Sequence, residues 1–360
     1  MKAIVEKGSV VVCVGTGGVG KTTVSAGLGL CAAQSGLKVL VLTIDPAKRL
    51  AQALGLDAKP VGETRVNLPG VKGELWAGLV DAEAAFESFV RENATDPDKA
   101  SKLLQNTLYK QLSTNLSGSQ EFTSLDILYR AVMGKKFDVV ILDTPPAQNA
   151  KDFFSAPERI YALFQKSITK WFMKDSKEKS WLTRVVNKGT QTVLLALEKV
   201  TGSEFIGALA EFFNSIQGIQ EQISERSIEV QALLKSEKTK FLLVTSFDEV
   251  KVKEVTFLFD DLSRMGYHLE GLVVNKCYPH WIKESLEAKG AEQGTDELDQ
   301  FRNQMLAYFK YQQEKFKFFE NKLQKQVTVV KLPEVNSELG GLAQVQEIAV
   351  RIDGAMGAKG

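Results

Sequence analysis

Short runs of apolar, mostly β-branched residues punctuate the chain: "SVVVCVG" (9–15), "KVLVLTID" (38–45), "FDVVILD" (137–143), "KFLLVTS" (240–246), "LEGLVVN" (269–275) and "QVTVVKL" (326–332). A shorter run, "ELWAGLV" (74–80), is a further candidate. Their apolar character is continuous rather than alternating, which is how strands buried on both faces read. Between them the pattern changes to a helical period. Alternation of such strands with helices predicts an α/β fold, a mostly parallel, doubly wound sheet with ligands outside the carboxyl ends of its strands. Two intervals break the alternation. Residues 81–133 and 151–235 carry helical periodicity and few strand signals, so they are expected to form a helical subdomain inserted into a single domain spanning 1–360. Residues 295–325 read as one more long helix. Its apolar stripe of Phe301, Met305, Tyr308, Phe316, Phe319 and Leu323 is expected to face the core.

Composition adds mostly exclusions. Hydrophobic residues make up 44% of the 360 positions and charged ones 25%, an ordinary globular balance. A net charge of +1 gives no global reason to expect nucleic-acid or membrane binding. No apolar run approaches the ~20 residues of a membrane span, and the first residues show no signal-peptide pattern. A cytoplasmic protein without stable membrane insertion is expected. Cys13, Cys31 and Cys277 are far apart and form no Cys-x-x-Cys pair, and the only histidines are His268 and His280. Buried free thiols fit this better than a zinc site.

The chemistry begins at "GTGGVGKTT" (15–23). Gly15-x-x-x-x-Gly20-Lys21-Thr22 follows a strand run and precedes a helical pattern at 21–35, the context a phosphate-binding loop requires. Glycines let backbone N–H groups turn inward around phosphate oxygens. Gly17, Gly18, Val19 and Gly20 would cradle the phosphates, with Thr23 in the first helical turn. Lys21 would reach the β- and γ-phosphates and the Thr22 hydroxyl would ligate Mg²⁺. Asp143 closes an apolar strand in "FDVVILDTPP", the Walker B position, where a carboxylate holds Mg²⁺ directly or through water. Asp45 ends "LTID" and can orient or deprotonate the attacking water. A nucleotide's phosphates and Mg²⁺ are the expected ligands, with Lys21 and Asp45 as the catalytic pair.

These segments resemble the ArsA-type ATPases, a branch of the deviant-Walker, MinD-like P-loop proteins. "TIDPAKRL" resembles that family's switch I, "DTPPAQNAKDFFSAPERI" its switch II, "VVNKC" a late strand end, and "KLPEVNSELGGL" its second adenine-side loop. The resemblance covers about 10–345. It implies that Asn275 reads the adenine edge, that 333–340, beginning at Pro333, closes over the base, and that switch II passes the γ-phosphate state to the helical subdomain. It also implies a dimer that ATP draws together face to face.

Two departures stand out. The residue after the first loop glycine is usually a lysine that crosses the dimer interface to the partner's phosphates. Here it is Thr16. A homodimer, a heterodimer with a lysine-bearing paralogue, substitution by Lys48, Arg49 or Lys151, and a slow timer all remain open. So does sufficiency of Lys21, Mg²⁺ and the helix dipole. The family's zinc-binding Cys-x-x-Cys and metalloid-binding cysteine trio are both missing from the sequence, so metalloid transport is not expected. Residues 161–190 interleave Trp171, Phe172, Met173 and Trp181 with seven cations. They read either as a solvated basic face or as a surface for a protein client or anionic membrane. A switch ATPase, a non-hydrolysing regulator and a targeting chaperone are the functions to separate.

Overall fold

The computed structural model describes residues 4–44, 49–56, 62–94, 96–106, 119–146, 150–163, 211–212, 215–216, 218–278, 297–323, 327–335 and 340–357. In chain order the elements are β1 (Val10–Gly15), α1 (Lys21–Gln34), β2 (Lys38–Thr43), α2 (Arg49–Ala53), β3 (Glu63–Arg65) and β4 (Glu74–Leu79). Then come α3 (Ala82–Asn93), α4 (Pro97–Gln105), α5 (Ser119–Met133), β5 (Val139–Asp143), α6 (Ala150–Leu163) and α7 (Gln220–Lys235). The last are β6 (Thr239–Thr245), α8 (Glu249–Arg264), β7 (Leu269–Val274), α9 (Glu297–Leu323), β8 (Thr328–Lys331) and α10 (Gly341–Gly357).

The strands form one sheet of order β3-β4-β2-β5-β1-β6-β7-β8. Every pairing is parallel except that of β3 with β4. This is the doubly wound α/β sheet that the apolar runs predict. β1 lies centrally between β5 and β6, and all six of its residues are buried. Its register sets Cys13 beside Asp143 and Gly15 beside Val244. β3 has no signal in the hydrophobic pattern, because its three residues are polar and it adds one antiparallel rung to the β4 edge.

Two compact units emerge. One comprises residues 1–80, 128–151 and 233–360, and carries the whole sheet. Its core joins the β1, β2 and β5 side chains to α1 and α10 through Val24, Leu28, Val345 and Ile348. Gly27 lets the two helices close up: a Cβ there would stand 2.5 Å from Ile348 Cγ2. The other unit comprises 81–127 and 152–232. Phe89, Leu103, Phe122, Ile160, Phe212 and Ile223 lie in its core. There Asp126, 1% exposed, is bound by the Arg226 guanidinium. Removing either partner of such a buried pair strands the other and costs about 3–5 kcal/mol. Asp81 and Asp96 cap α3 and α4 by accepting from the N–H groups of Ala84 and Asp98, each worth about 1 kcal/mol.

The stripe on α9 departs from expectation. Phe316 and Phe319 are buried, with Phe316 edge-on to Phe247 at 4.9 Å. Phe301 and Tyr308 are 59% and 51% exposed. The named positions run along the helix, but the core covers Phe316 and Phe319 in its C-terminal half and leaves Phe301 and Tyr308 exposed. Most of the aromatic, basic stretch at 161–190 lies outside the described residues. Among the described residues no helix is long and apolar enough to cross a membrane.

Cys13, Cys31 and Cys277 are buried free thiols. Burial pushes both the Cys13 and the Cys277 thiol up to about 12. A thiolate is the reactive species. Neither should therefore react with Ellman's reagent at pH 8 in the folded protein, and all three cysteines should react in guanidinium. Rapid titration of Cys13 or Cys277 before unfolding would contradict this.

Candidate active site

The turn from β1 to α1 is shaped by glycine. Gly20 takes φ 86° at the N-terminal cap of α1, and a Cβ there would stand 2.6 Å from Asn275 Nδ2. No side chain caps α1, and its first turn carries no acidic residue. Aspartates cap α3, α4 and α8. The N-terminus of α1 thus keeps its partial positive charge and its N–H donors for an anion.

Lys21, 8% exposed, folds back over this turn. Its Nζ donates to Gly15 O at 3.1 Å and to Thr16 O at 2.9 Å. The Thr22 Oγ1–H donates to Asp143 Oδ2 at 2.7 Å, and Thr43 Oγ1 donates to the same oxygen at 3.1 Å. Asp143 is only 2% exposed. It is fixed at the end of β5 by the ladder with β1 and β2, and the next residue anchors the strand end, Thr144 Oγ1 donating to Cys13 O at 2.8 Å. A hydroxyl from helix α1 and one from the neighbouring strand β2 therefore converge on a single carboxylate oxygen.

A cleft of about 430 Å³ opens over these groups. Gly17, Gly18, Gly20, Lys21, Thr22 and Thr23 line one side and Asp143 to Pro146 another. The remaining wall comes from α2, through Arg49, Gln52 and Ala53, and from the start of α10, through Gly341 and Gln344. The structure thus brings together seven of the residues singled out from the sequence: Gly17, Gly18, Gly20, Lys21, Thr22, Thr23 and Asp143. Val19 is nearly buried, and its carbonyl accepts from Asn275 Nδ2 at 2.8 Å. Asn275, 4% exposed, braces the loop from behind and is not among the residues lining the cleft. Pro333 lies in the loop after β8. That loop is tied to the segment after β7 by Leu332 N–H to Val274 O and Cys277 N–H to Leu332 O. The Pro333 carbonyl accepts from Arg351 of α10 at 2.8 Å. Asp45 and Lys48 lie outside the described residues.

Thr16 is 1% exposed, and its hydroxyl is buried with no hydrogen-bond partner among the described residues. It does not line the cleft. Sequence reasoning missed Thr43, Gln52 and Gln344. Thr43 had a usable signal, since it stands two residues before Asp45 at the end of a strand. The glutamines had none.

A family model described as anion-transporting ATPase matches residues 9–354. A protein of Aquifex aeolicus provisionally named arsenical pump-driving ATPase 1 is 25% identical over 345 residues, covering 94% of this chain and 77% of that one. The arsenical pump-driving ATPase of Escherichia coli is 25% identical over 273 residues, covering 74% of this chain but 39% of its own length. ATPase GET3 of Malassezia globosa is 24% identical over 269 residues, covering 74% and 72%.

Proposed function

We infer that this chain, which belongs to the anion-transporting ATPase family, binds ATP in the cleft over α1 and hydrolyses it with Mg²⁺ as a dimeric switch. The observation that carries this reading is the convergence of Lys21, Thr22 and Asp143 on an uncapped helix N-terminus. The reaction is attack of water on the γ-phosphorus. A bond forms to the water oxygen as the bond to the β–γ bridging oxygen breaks, and ADP, phosphate and a proton leave.

The chain's own groups divide the work. Lys21 exchanges its Gly15 and Thr16 carbonyls for β- and γ-phosphate oxygens. Thr22 and Asp143 are all-oxygen donors 2.7 Å apart, a set that fits a hard divalent cation. They would hold Mg²⁺, while Thr43 orients the carboxylate. The bound ion would neutralise charge on the phosphates. Asp45 positions the water, a role resting on the resemblance of "TIDPAKRL" to switch I. Asn275 couples the base side to the loop. An amide has a second N–H and an acceptor, so its Val19 bond and an adenine contact are compatible. Pro333 opens the segment that closes over the base.

Switch II begins at Asp143 and leads along the chain into α6, whose residues from 152 onward belong to the helical unit. A change at the γ-phosphate thereby has a covalent route to that unit, where a protein client would bind. A cytoplasmic setting fits this role. The buried Thr16 supports a second reading, in which the loop supplies no cation to a partner and the nucleotide-held dimer is itself the output.

The test is Mg²⁺-ATP hydrolysis by the purified chain over a wide range of protein concentration. Turnover per subunit is expected to rise with concentration and saturate. Turnover independent of concentration would remove the dimer requirement. Tight Mg²⁺-ATP binding without turnover would favour the second reading.

A further inference from the structure

Position 16 brings no charge to the cleft, and the chemistry requires charge. A phosphoryl group in flight spreads negative charge over its oxygens, and stabilising it is most of what such a site does. Among the described residues, the cations lining the cleft are Lys21 and Arg49. Lys151, the second residue of α6, is exposed and is not in the lining. Arg49 opens α2 on the wall facing the phosphate loop, and its own turn is firmly seated. Leu50 and Ala51 are 1% and 4% exposed, and Leu54 is 2% exposed. Leu54 N–H donates to Leu50 O at 3.0 Å and Leu56 N–H to Ala51 O at 2.8 Å. The Arg49 side chain itself is exposed. A rigid base with a long, exposed guanidinium suits a group that must reach a ligand.

We propose that Arg49 is the charge-stabilising residue that replaces the missing loop lysine, and that it acts on the γ-phosphate of its own subunit's nucleotide. This rests on the ATPase reading above. The planar guanidinium can hold two phosphate oxygens in a fixed bidentate fork, where an ammonium acts as a point charge. A cation supplied in cis frees the site from a lysine-bearing partner.

The experiment compares wild type, Arg49→Ala, Arg49→Gln, Arg49→Lys and Lys151→Ala as full chains, for kcat, KM, and affinity for ADP and ATPγS. The alanine and glutamine variants should lose on the order of 10³-fold in kcat. Their ADP affinity should hold within about twofold, and their preference for ATPγS over ADP should shrink on the order of tenfold. The Lys variant should be intermediate and Lys151→Ala unchanged. Mixing Arg49→Ala with Lys21→Ala separates cis from trans. A cis arginine leaves every mixed dimer dead, because each site lacks one group. A trans arginine would restore one site, and that recovery overturns the proposal. Wild-type kcat and unchanged nucleotide preference in both Arg49→Ala and Arg49→Gln also overturn it, as does a matching loss in Lys151→Ala. If wild type itself does not turn over, the ATPase reading fails on its own. The nucleotide preference then still decides whether Arg49 touches the γ-phosphate.

Discussion

Replacing Lys21 by alanine lowers kcat for Mg²⁺-ATP by on the order of 10²–10³-fold and weakens ATP binding, with little loss of fold. The ammonium is the one charge already inside the turn, held by two backbone carbonyls. Its removal leaves the phosphates to the helix N-terminus, the bound cation and Arg49. The folded state loses two modest hydrogen bonds, on the order of 1 kcal/mol each. In a unit of this size that lowers Tm by about 4–8 °C. Lys21→Arg does not rescue: the site is 8% exposed, and a broad guanidinium has no room to turn between Gly15 and Thr16. Steady-state kinetics and calorimetric binding check this together. A Lys21→Ala protein with intact turnover would take the site out of this cleft.

Replacing Gly15 by alanine unfolds the sheet unit more readily than any cleft variant. The added Cβ would stand 2.0 Å from the Val244 carbonyl oxygen and 2.9 Å from its carbon. Backbone cannot turn away as a side chain can. The last rung between β1 and β6 must therefore open, just where the phosphate loop begins. Overpacking of this kind costs about 3 kcal/mol or more, roughly 6–12 °C in Tm for a domain of this size. Gly354→Ala is the contrast. It sits in α10 with nothing within 4 Å of an added Cβ. It should stabilise by about 0.5–1 kcal/mol through helix propensity. Thermal melts of the two variants should move in opposite directions. A Gly15→Ala protein melting with wild type would mean that β1 and β6 do not close as described.

The strand pattern was legible because these strands are buried on both faces, so apolar runs and strands coincide to within two residues. Lys21, Thr22 and Asp143 were legible because each stands at a fixed offset from a strand end. The remaining wall of the cleft was not. Gln52 and Gln344 reach it only because α2 and α10 meet near Gly341, where an added Cβ would lie 3.3 Å from Gln52 O, and no local pattern encodes that meeting. Thr16 illustrates a related limit. Sequence reveals a missing charge but not that the side chain turns inward. The α9 stripe shows a third. Periodicity tells which face is apolar, but not how far along the helix the core extends.

The position of β1 also bears on how the chain is made. It precedes the other strands of its sheet in the chain and is one of the two central ones. Its neighbours β5 and β6 follow about 130 and 230 residues later. α10, which packs against α1, comes later still. Until β5 is made the nascent chain therefore carries "VVVCV" without a strand partner, an apolar β segment of the kind that aggregates. Parallel pairing at such sequence separation is slow. Nucleotide capture therefore waits for α10, and holding chaperones would find their target in the β1 segment.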